Sequence, residues 1–595
     1  MSDKPHILRN TRSFVEALKS QNELHQIDAL VDPNLELAEI QRQVVAQKGP
    51  ALLFTNVKGS RFPVATNLYG SQKRIDIAFG QKPQQLIKQA TELADQIFPL
   101  RFKTLWESKN LAFDFLKVGK KAVNTGPLLE QQITQEGLLA LPQIKSWPED
   151  GGAFITLPLV YTEHPETNKS NLGMYRIQLH NAKQCGMHIQ IHRGGGFHHH
   201  QAESENKNLP AHIYVGGPPA FVIAAIAPLP EDVPEILLAS LLCGERIRYN
   251  KNNHSPLPFL VDADFCIAGE IPAHQRMPEG PFGDHYGYYS LQHDYPYLNV
   301  NSIWHQKDAI YPATVVGRPP QEDHYIACYL QELLKPLIKM VMPQVTEVWA
   351  YEESGVHSLA GAIVKDRYPR EALTTALRIL GEGQLSLSKV LMVTDQNVDV
   401  KNFASFFECI LERIRFDQDL FVLSNISQDT LDYTGPKVNE GSKAIFLGIG
   451  KPIRKLPKEI NFDLPSDLIR DAHVFCPGAL AVTATKDFES DKDLVQKIAQ
   501  HPAFKDWPMV FVLDNAKEAV ASSEDFIWHV FTRFEPAADT HAKQTNTNRF
   551  HVGLTAPVAI DCRLKPWYPK VLTVDTNTQS NAAKILRDSG LDCGH

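Results

Sequence analysis

The sequence predicts a mixed fold of the α+β or α/β class, with an N-terminal helix-and-strand module, a β-rich centre and an α/β C-terminal part. Three observations carry that prediction. Forty prolines and 34 glycines in 595 residues, with a mean hydropathy of -0.25, describe a chain rich in turns and not a helical bundle. Between Gln131 and Leu330, short apolar runs such as AFITLPLVY, GMHIQI, HIYVGG and YLNVNSIW are broken by glycine and proline, the texture of a barrel or sandwich. Beyond Leu330, apolar strands alternate with amphipathic helices. At about 150 residues per domain, the length fits three or four domains that each bury a core without disulfides.

The first module is expected over residues 1–115. Phe14, Leu18 and Leu24 lie at helical spacing, Asp32-Pro33-Asn34 reads as a cap and first-turn proline for a second helix, and ALLFTNV is a short buried strand. The β-rich domain is expected over 116–330. Within it, Phe221 to Ala227 is fenced by prolines and reads as a buried strand, far short of the roughly 18 to 20 residues of a membrane helix. An α/β domain follows over 331–455, and an extension over 456–595 repeats its unit. KVLMVTD, a helix around FASFFECILERIRFD and GSKAIFLGIGK are echoed by PMVFVLD, a helix around EDFIWHVFTRFE and APVAIDCRLK. Each first strand ends in an aspartate (Asp395, Asp514) and each helix in Arg-Phe-acid (Arg415-Phe416-Asp417, Arg533-Phe534-Glu535).

Composition excludes several classes of function. The formal net charge is -8, with 60 basic and 68 acidic residues and no long basic run, so the footprint of a nucleic-acid binder is missing. The first twenty residues lack the apolar segment of a signal peptide, which predicts a cytoplasmic protein. Eight cysteines, at 185, 243, 266, 328, 409, 476, 562 and 593, form no close pair and read as buried reduced thiols.

The residues suited to chemistry crowd the centre. In NLGMYRIQLH, Asn171 and Arg176 are five apart; if Gly173 to Gln178 is a strand, Tyr175 and Arg176 point to opposite faces. IQIHRGGGFHHH follows. Gly194, Gly195 and Gly196 read as an unpacked turn, either a close backbone approach to phosphate or a flexible surface loop. Of the many histidines, including His180 and His188, the run His198 to His200 is poorly placed for one ion, because neighbours on a strand diverge. His192 lies between an apolar run and the glycines, and Glu235 opens an apolar helix. An Asn, His and Glu set suits manganese or magnesium, although spacing alone does not select these three. In PEGPFGDHYGYY, Glu279 and Asp284 flank a turn beside Tyr286, Tyr288 and Tyr289. Paired acids in a partly apolar pocket are expected to push one pKa upward, as a proton donor at neutral pH requires.

Taken in order, NLGMYR, IHRGGG, the Glu235 helix, PEGPFGDHYGYY and VVGRPP closely resemble the UbiD family of non-oxidative decarboxylases, over the chain to about Gly450. The resemblance implies a central split β-barrel of the flavin-reductase type, a C-terminal oligomerisation domain and a homo-oligomer, dimeric or hexameric. It implies prenylated FMN, made by a separate flavin prenyltransferase, with manganese (or magnesium) and potassium at its phosphate. By motif, Asn171, His192 and Glu235 correspond to metal ligands and Arg176, Glu279 and Asp284 to the catalytic trio. Met174, Tyr175, Arg176, Arg193 and Gly194 correspond to cofactor-lining positions. The phosphate-binding lysine is either Lys443 in GSK or a residue of the second copy such as Lys565. The expected activity is decarboxylation of an aromatic acid on the way to a respiratory quinone, polyprenyl-hydroxybenzoate or a dihydroxynaphthoate-type acid. A small phenolic or phenylacrylic acid is the second substrate reading, and a flavin-binding or assembly protein without catalysis the reading of another class. A lipid-tailed substrate would add peripheral contact with the inner membrane.

Overall fold

The computed structural model describes residues 7–96, 117–189, 194–229 and 233–591, in two compact units. The first takes the residues up to Gly317, Gln321–Leu334 and those from Val571 onward; the second takes Arg318–Pro320 and Lys335–Lys570.

In the first unit, Asn10 caps the helix Thr11–Ser20: its side chain accepts from Ser13 N at 2.9 Å, and the Ser13 hydroxyl lies 3.1 Å from Asn10 N. Phe14 and Leu18 are buried, but Leu24 belongs to the next strand, Leu24–Ile27. The second helix, Glu36–Ala46, starts later than Asp32-Pro33-Asn34 foretold. Asp32 instead forms a turn, accepting from Asn34 N while its own N–H donates to Glu36. The helix Thr576–Asp588, capped by Asp575, packs on Glu36–Ala46 and puts Ala582 and Leu586 into the core that holds Leu37 and Ile40.

The centre of this unit is a nine-stranded antiparallel sheet among the described residues. Its main path runs Ala153–Ile155, Ile177–Asn181, Gln184–Met187, Tyr297–His305, Phe265–Ile271, Leu209–Val215, Pro158–Glu163 and Ser170–Gly173, with Gln131–Ile133 beside Tyr297–His305. The end strands do not pair with each other, so no closed barrel forms among the described residues. Leu209–Val215 is buried along almost its whole length, which is why it reads as a continuous apolar run and not as an alternating one.

Three local expectations fail here. Phe221 to Ala227 is not a strand: Pro219–Ile226 is a helix, with proline in its first turn and Pro219 to Ala224 all buried. A helix that is apolar all round matches a buried strand in length and composition, so period alone could not separate them. Gly194 to Gly196 are not an unpacked turn; they open the helix Gly194–Ser204, which also carries His198 to His200. Gly173 to Gln178 is not one strand either, because pairing stops after Gly173 and resumes at Ile177.

The second unit holds two five-stranded sheets of one strand pattern. The first runs Val345–Ala350, Leu359–Val364, Val390–Thr394, Glu440–Gly448, Leu420–Ser427, and the second Ile469–Cys476, Ala479–Ala484, Met509–Leu513, His551–Asp561, Thr540–Asn548. In both, the three middle strands are parallel and the outer two antiparallel. Each unit is one strand longer than the expected strand-helix-strand, since Leu420–Ser427 and Thr540–Asn548 intervene before the last strand. The helices Phe403–Leu411 and Ser523–Phe531 bury phenylalanines in one shared core, where Phe475 and Phe526 stack with ring centroids 3.7 Å apart. Phe526→Ala is expected to destabilise this unit by about 3–5 kcal/mol, read as a lower urea midpoint at unchanged m-value.

Seven cysteines, all but Cys593, are described and all are free thiols. Among the described residues, no helix is long and apolar enough to cross a membrane.

Candidate active site

Where pairing lapses between Gly173 and Ile177, Met174, Tyr175 and Arg176 leave the sheet. The Arg176 side chain, 8% exposed, gathers two acids that lie a hundred residues further on. Nε donates to Glu279 Oε1 at 2.7 Å and Nη2 to Glu279 Oε2 at 3.0 Å, while Nη1 is hydrogen-bonded to Asp284. Nη2 also reaches Ser290 Oγ at 2.9 Å, and the guanidinium lies 4.7 Å from the centre of the Phe282 ring. A planar fork with five donors suits this sharing; a lysine would lack the bidentate grip on Glu279.

Glu279 ends the strand Met277–Glu279, which pairs with His293–Tyr295 and sets Glu279 opposite His293. Gly280 follows at φ 93°, a conformation that strains any side chain, and turns the chain toward Asp284. Its N–H donates to Gln178 Oε1 at 2.8 Å. Asp150 receives Gly283 N at 2.7 Å, and Ser290 Oγ receives Phe282 N at 3.1 Å. None of these three supports was legible as such in the sequence: Gln178, Asp150 and Ser290 act only through contacts made by folding.

The expectation that pairing raises one of the acids is overturned for this arrangement. Burial alone would push the Glu279 carboxyl up, but the Arg176 charge and a hydrogen bond from His188 hold it down at about 2. Asp284 is likewise driven up by burial and brought below its ordinary value by Arg176 and by His285, whose Nδ1 lies 2.6 Å from Asp284 Oδ1. The two acids share a cation, so neither is forced to keep its proton by the other.

At the edge strand Ser170–Gly173, Asn171 is buried, and Glu235, the first residue of the helix Glu235–Cys243, accepts from the adjacent Leu172 N at 2.9 Å. Tyr175 turns the other way from Arg176. Its hydroxyl accepts from Gly195 N at 3.3 Å and lies 3.5 Å from Asn171 Nδ2. Gly194 comes so close that a Cβ there would sit 2.2 Å from Asn171 Oδ1. His192 and Arg193 lie outside the described residues.

Lys443 and Lys565 belong to the second unit. Lys443 Nζ donates to Ser388 O at 2.8 Å, and burial brings its pKa down to about 8. Lys565 Nζ is bonded to Arg533 O, Asp539 Oδ2 and Asp561 O, at 2.9, 2.9 and 2.8 Å.

A buried guanidinium shared by two buried carboxylates is an arrangement that can grip a carboxylate and hold or move a proton, as the chemistry of a carboxy-lyase requires. The chain belongs to the UbiD family of such enzymes, decarboxylases that use prenylated FMN. Its residues 15–94, 120–319 and 324–448 match the family's N-terminal, Rift-related and C-terminal domains, each described as of 3-octaprenyl-4-hydroxybenzoate carboxy-lyase. A Chlamydia pneumoniae protein named as a subunit of 4-hydroxybenzoate decarboxylase is 47% identical over 573 residues, 96% of this chain and 97% of that protein. The family domains stop at residue 448, but this relative extends across the C-terminal extension. The fold is similar to vanillic acid decarboxylase of Sedimentibacter hydroxybenzoicus in closed form, with TM-score 0.65, 24% identity, and coverage of 76% of this chain and 95% of that one. It is also similar to the UbiD-class enzyme HmfF from Pelotomaculum thermopropionicum in complex with FMN, with TM-score 0.61, 20% identity, and coverage of 77% and 98%.

Proposed function

We propose that this chain decarboxylates a hydroxy-substituted aromatic acid with prenylated FMN and a divalent cation, and that Arg176, Glu279 and Asp284 carry the chemistry. The observation that carries the reading is the Arg176 fork, which already holds two carboxylates in a buried setting. When bound, prenylated FMN supplies the electron sink that the carbon losing carbon dioxide needs and that no side chain offers.

The residues present fit that group. A Cβ on Gly194 would collide with Asn171 and one on Gly195 would press on Tyr175, so the helix of eleven residues that they open brings bare backbone up to this edge, and a helix N-terminus suits a phosphate. Asn171 and Glu235 offer hard oxygen donors at one strand edge, and burial raises the Glu235 pKa, a cost that a manganese or magnesium ion there would offset. His192 would complete the set, with Met174, Tyr175, Arg176 and Arg193 lining the cofactor, whose phosphate charge potassium would help to neutralise.

The substrate carboxylate takes over guanidinium donors that the acids hold at rest. As Arg176 turns to it, Glu279 loses its compensating charge in a buried place and its pKa climbs, so that it gains a proton from water. That proton passes to the carbon as carbon dioxide leaves, and Glu279 ends as carboxylate; Asp284 keeps Arg176 in place. One proton is consumed per turnover.

We read the open central sheet as the family's split β-barrel and the two sheets of the second unit as a duplicated element in a domain that assembles like chains. A respiratory-quinone precursor is our first choice of substrate. A small phenolic acid is favoured by the name of the Chlamydia pneumoniae relative. Coexpression with a flavin prenyltransferase, followed by an absorbance spectrum and carbon dioxide release from 4-hydroxybenzoate, vanillate, dihydroxynaphthoate and a prenylated hydroxybenzoate, tests the reading. Cofactor bound with no release from any acid would leave a flavin-binding or assembly protein. Asn171→Ala and Glu235→Ala should each lose metal and cofactor together, measured by elemental analysis and absorbance of the purified protein. Loss of activity with both retained would remove them from the metal site.

A further inference from the structure

We propose that His188 is the positioning residue of Glu279: a neutral imidazole, protonated on Nδ1, that keeps hold of one carboxylate oxygen when Arg176 turns to the substrate. Its part in turnover rests on the decarboxylase reading; its tautomer rests on geometry alone.

His188 follows the strand Gln184–Met187 and is 7% exposed. Its Nδ1 lies 3.2 Å from Glu279 Oε2, and its ring lies against Tyr295 with centroids 4.3 Å apart. An ionised carboxylate only accepts, so Nδ1 carries the proton and Nε2 is bare. Nε2 is enclosed and has no hydrogen-bond partner among the described residues. A proton there would add a second buried cation beside Arg176. Burial and Arg176 together hold the imidazole below its ordinary pKa against the pull of Glu279 and Asp284. The other titratable groups around this pair are His180 on the strand Ile177–Asn181, His285 on Asp284, His293 opposite Glu279, and Tyr295.

At rest Glu279 Oε1 belongs to Arg176 Nε, and Oε2 to Arg176 Nη2 and His188. Withdrawal of the guanidinium leaves Oε1 bare and Oε2 still receiving the Nδ1 proton. The incoming proton therefore goes to Oε1, the oxygen left without any donor. His188 neither gains nor loses a proton in the cycle. By favouring the carboxylate it keeps Glu279 from becoming too weak an acid in its buried place.

An asparagine at 188 can set an N–H near the Nδ1 position, whereas a glutamine sets it near Nε2. In the loaded enzyme, with the acid of the panel that is turned over, 4-hydroxybenzoate first, His188→Gln is expected to move the basic limb of the kcat profile up by about one pH unit, because the carboxylate loses a donor. His188→Asn should keep the native limb, with KM little changed in either variant. In the chain without cofactor, nitrogen-15 histidine spectra should show a neutral Nδ1–H tautomer from pH 6 to 8, assigned by its loss in His188→Asn. Equal basic limbs in the native, Asn and Gln proteins would overturn the proposal, as would an Nε2–H tautomer or an imidazolium at neutral pH. No release from any acid would overturn the activity itself, and the tautomer would then decide the inference alone.

Discussion

Glu279→Gln is expected to lower carbon dioxide release by about 10²–10⁴-fold, the usual worth of a placed general acid, while the protein still folds and binds cofactor. The amide keeps the shape of the acid and one oxygen for Arg176, but it has no proton to give at any working pH. Its nitrogen would also confront the His188 Nδ1–H, 3.2 Å away in the native pair, so the imidazole must shift its proton to Nε2 or turn. Absorbance of the loaded protein and single-turnover carbon dioxide release decide the matter. A variant with native turnover would remove Glu279 from the proton path; a variant that no longer holds cofactor would make its role structural.

Arg176→Ala is expected to destabilise the protein by about 3–5 kcal/mol at pH 7, because it strands buried carboxylates without their cation. It should also reverse the pH dependence of stability. In the native protein, Arg176 helps hold Glu279 at about 2, below the ordinary range, so the stability this supplies is present above pH 4 to 5 and is lost as pH falls toward 2. Without Arg176, burial dominates and raises the folded-state pKa of Glu279 above its unfolded value. Protonation then favours the fold, and the variant should gain stability between pH 7 and 5, where the native protein gains none from this group. His285, 2.6 Å from Asp284, can partly replace the cation there, so Glu279 carries most of the change. Urea denaturation at pH 7 and pH 5 checks both statements. Parallel curves for the two proteins, or a loss under 1 kcal/mol, would show that the fork does not compensate the acids.

The candidate acids and their arginine were legible because long motifs brought them out, and the structure places all three in one contact set. The sense of their electrostatics was not. Reading Glu279 and Asp284 as a pair five residues apart suggests mutual repulsion and a raised pKa, whereas each faces the same guanidinium. The supports were also invisible: Gln178, Asp150 and Ser290 act through hydrogen bonds to backbone or to Arg176, and such bonds leave no period or spacing behind. His188 stood in plain view among many histidines, but nothing in GMHIQI marks which one will lie beside a carboxylate.

Secondary structure followed the same division. Runs such as KVLMVTD and PMVFVLD became parallel strands because an unbroken apolar segment of that length is at home only with both faces covered. FVIAAIA became a helix because a segment apolar in every direction satisfies either period, and the packing around Pro219–Ile226 made the choice. The glycines at 194 to 196 open a helix, and at 194 and 195 Asn171 and Tyr175 approach too closely for a side chain to fit without a shift.

The sequence by itself determined the mixed α/β class of fold and the family, and it nominated the residues proposed for the chemistry, since these depend on local pattern and on the order of motifs. Only the tertiary structure decided which groups face one another: that Arg176 serves both acids, that His188 holds one of them, and that the last helix of the chain closes on the first module. Partners far apart in the chain are chosen by the register of strands and the burial of side chains, and a charge in a low-dielectric interior takes its pKa from those neighbours and not from its own place in the chain.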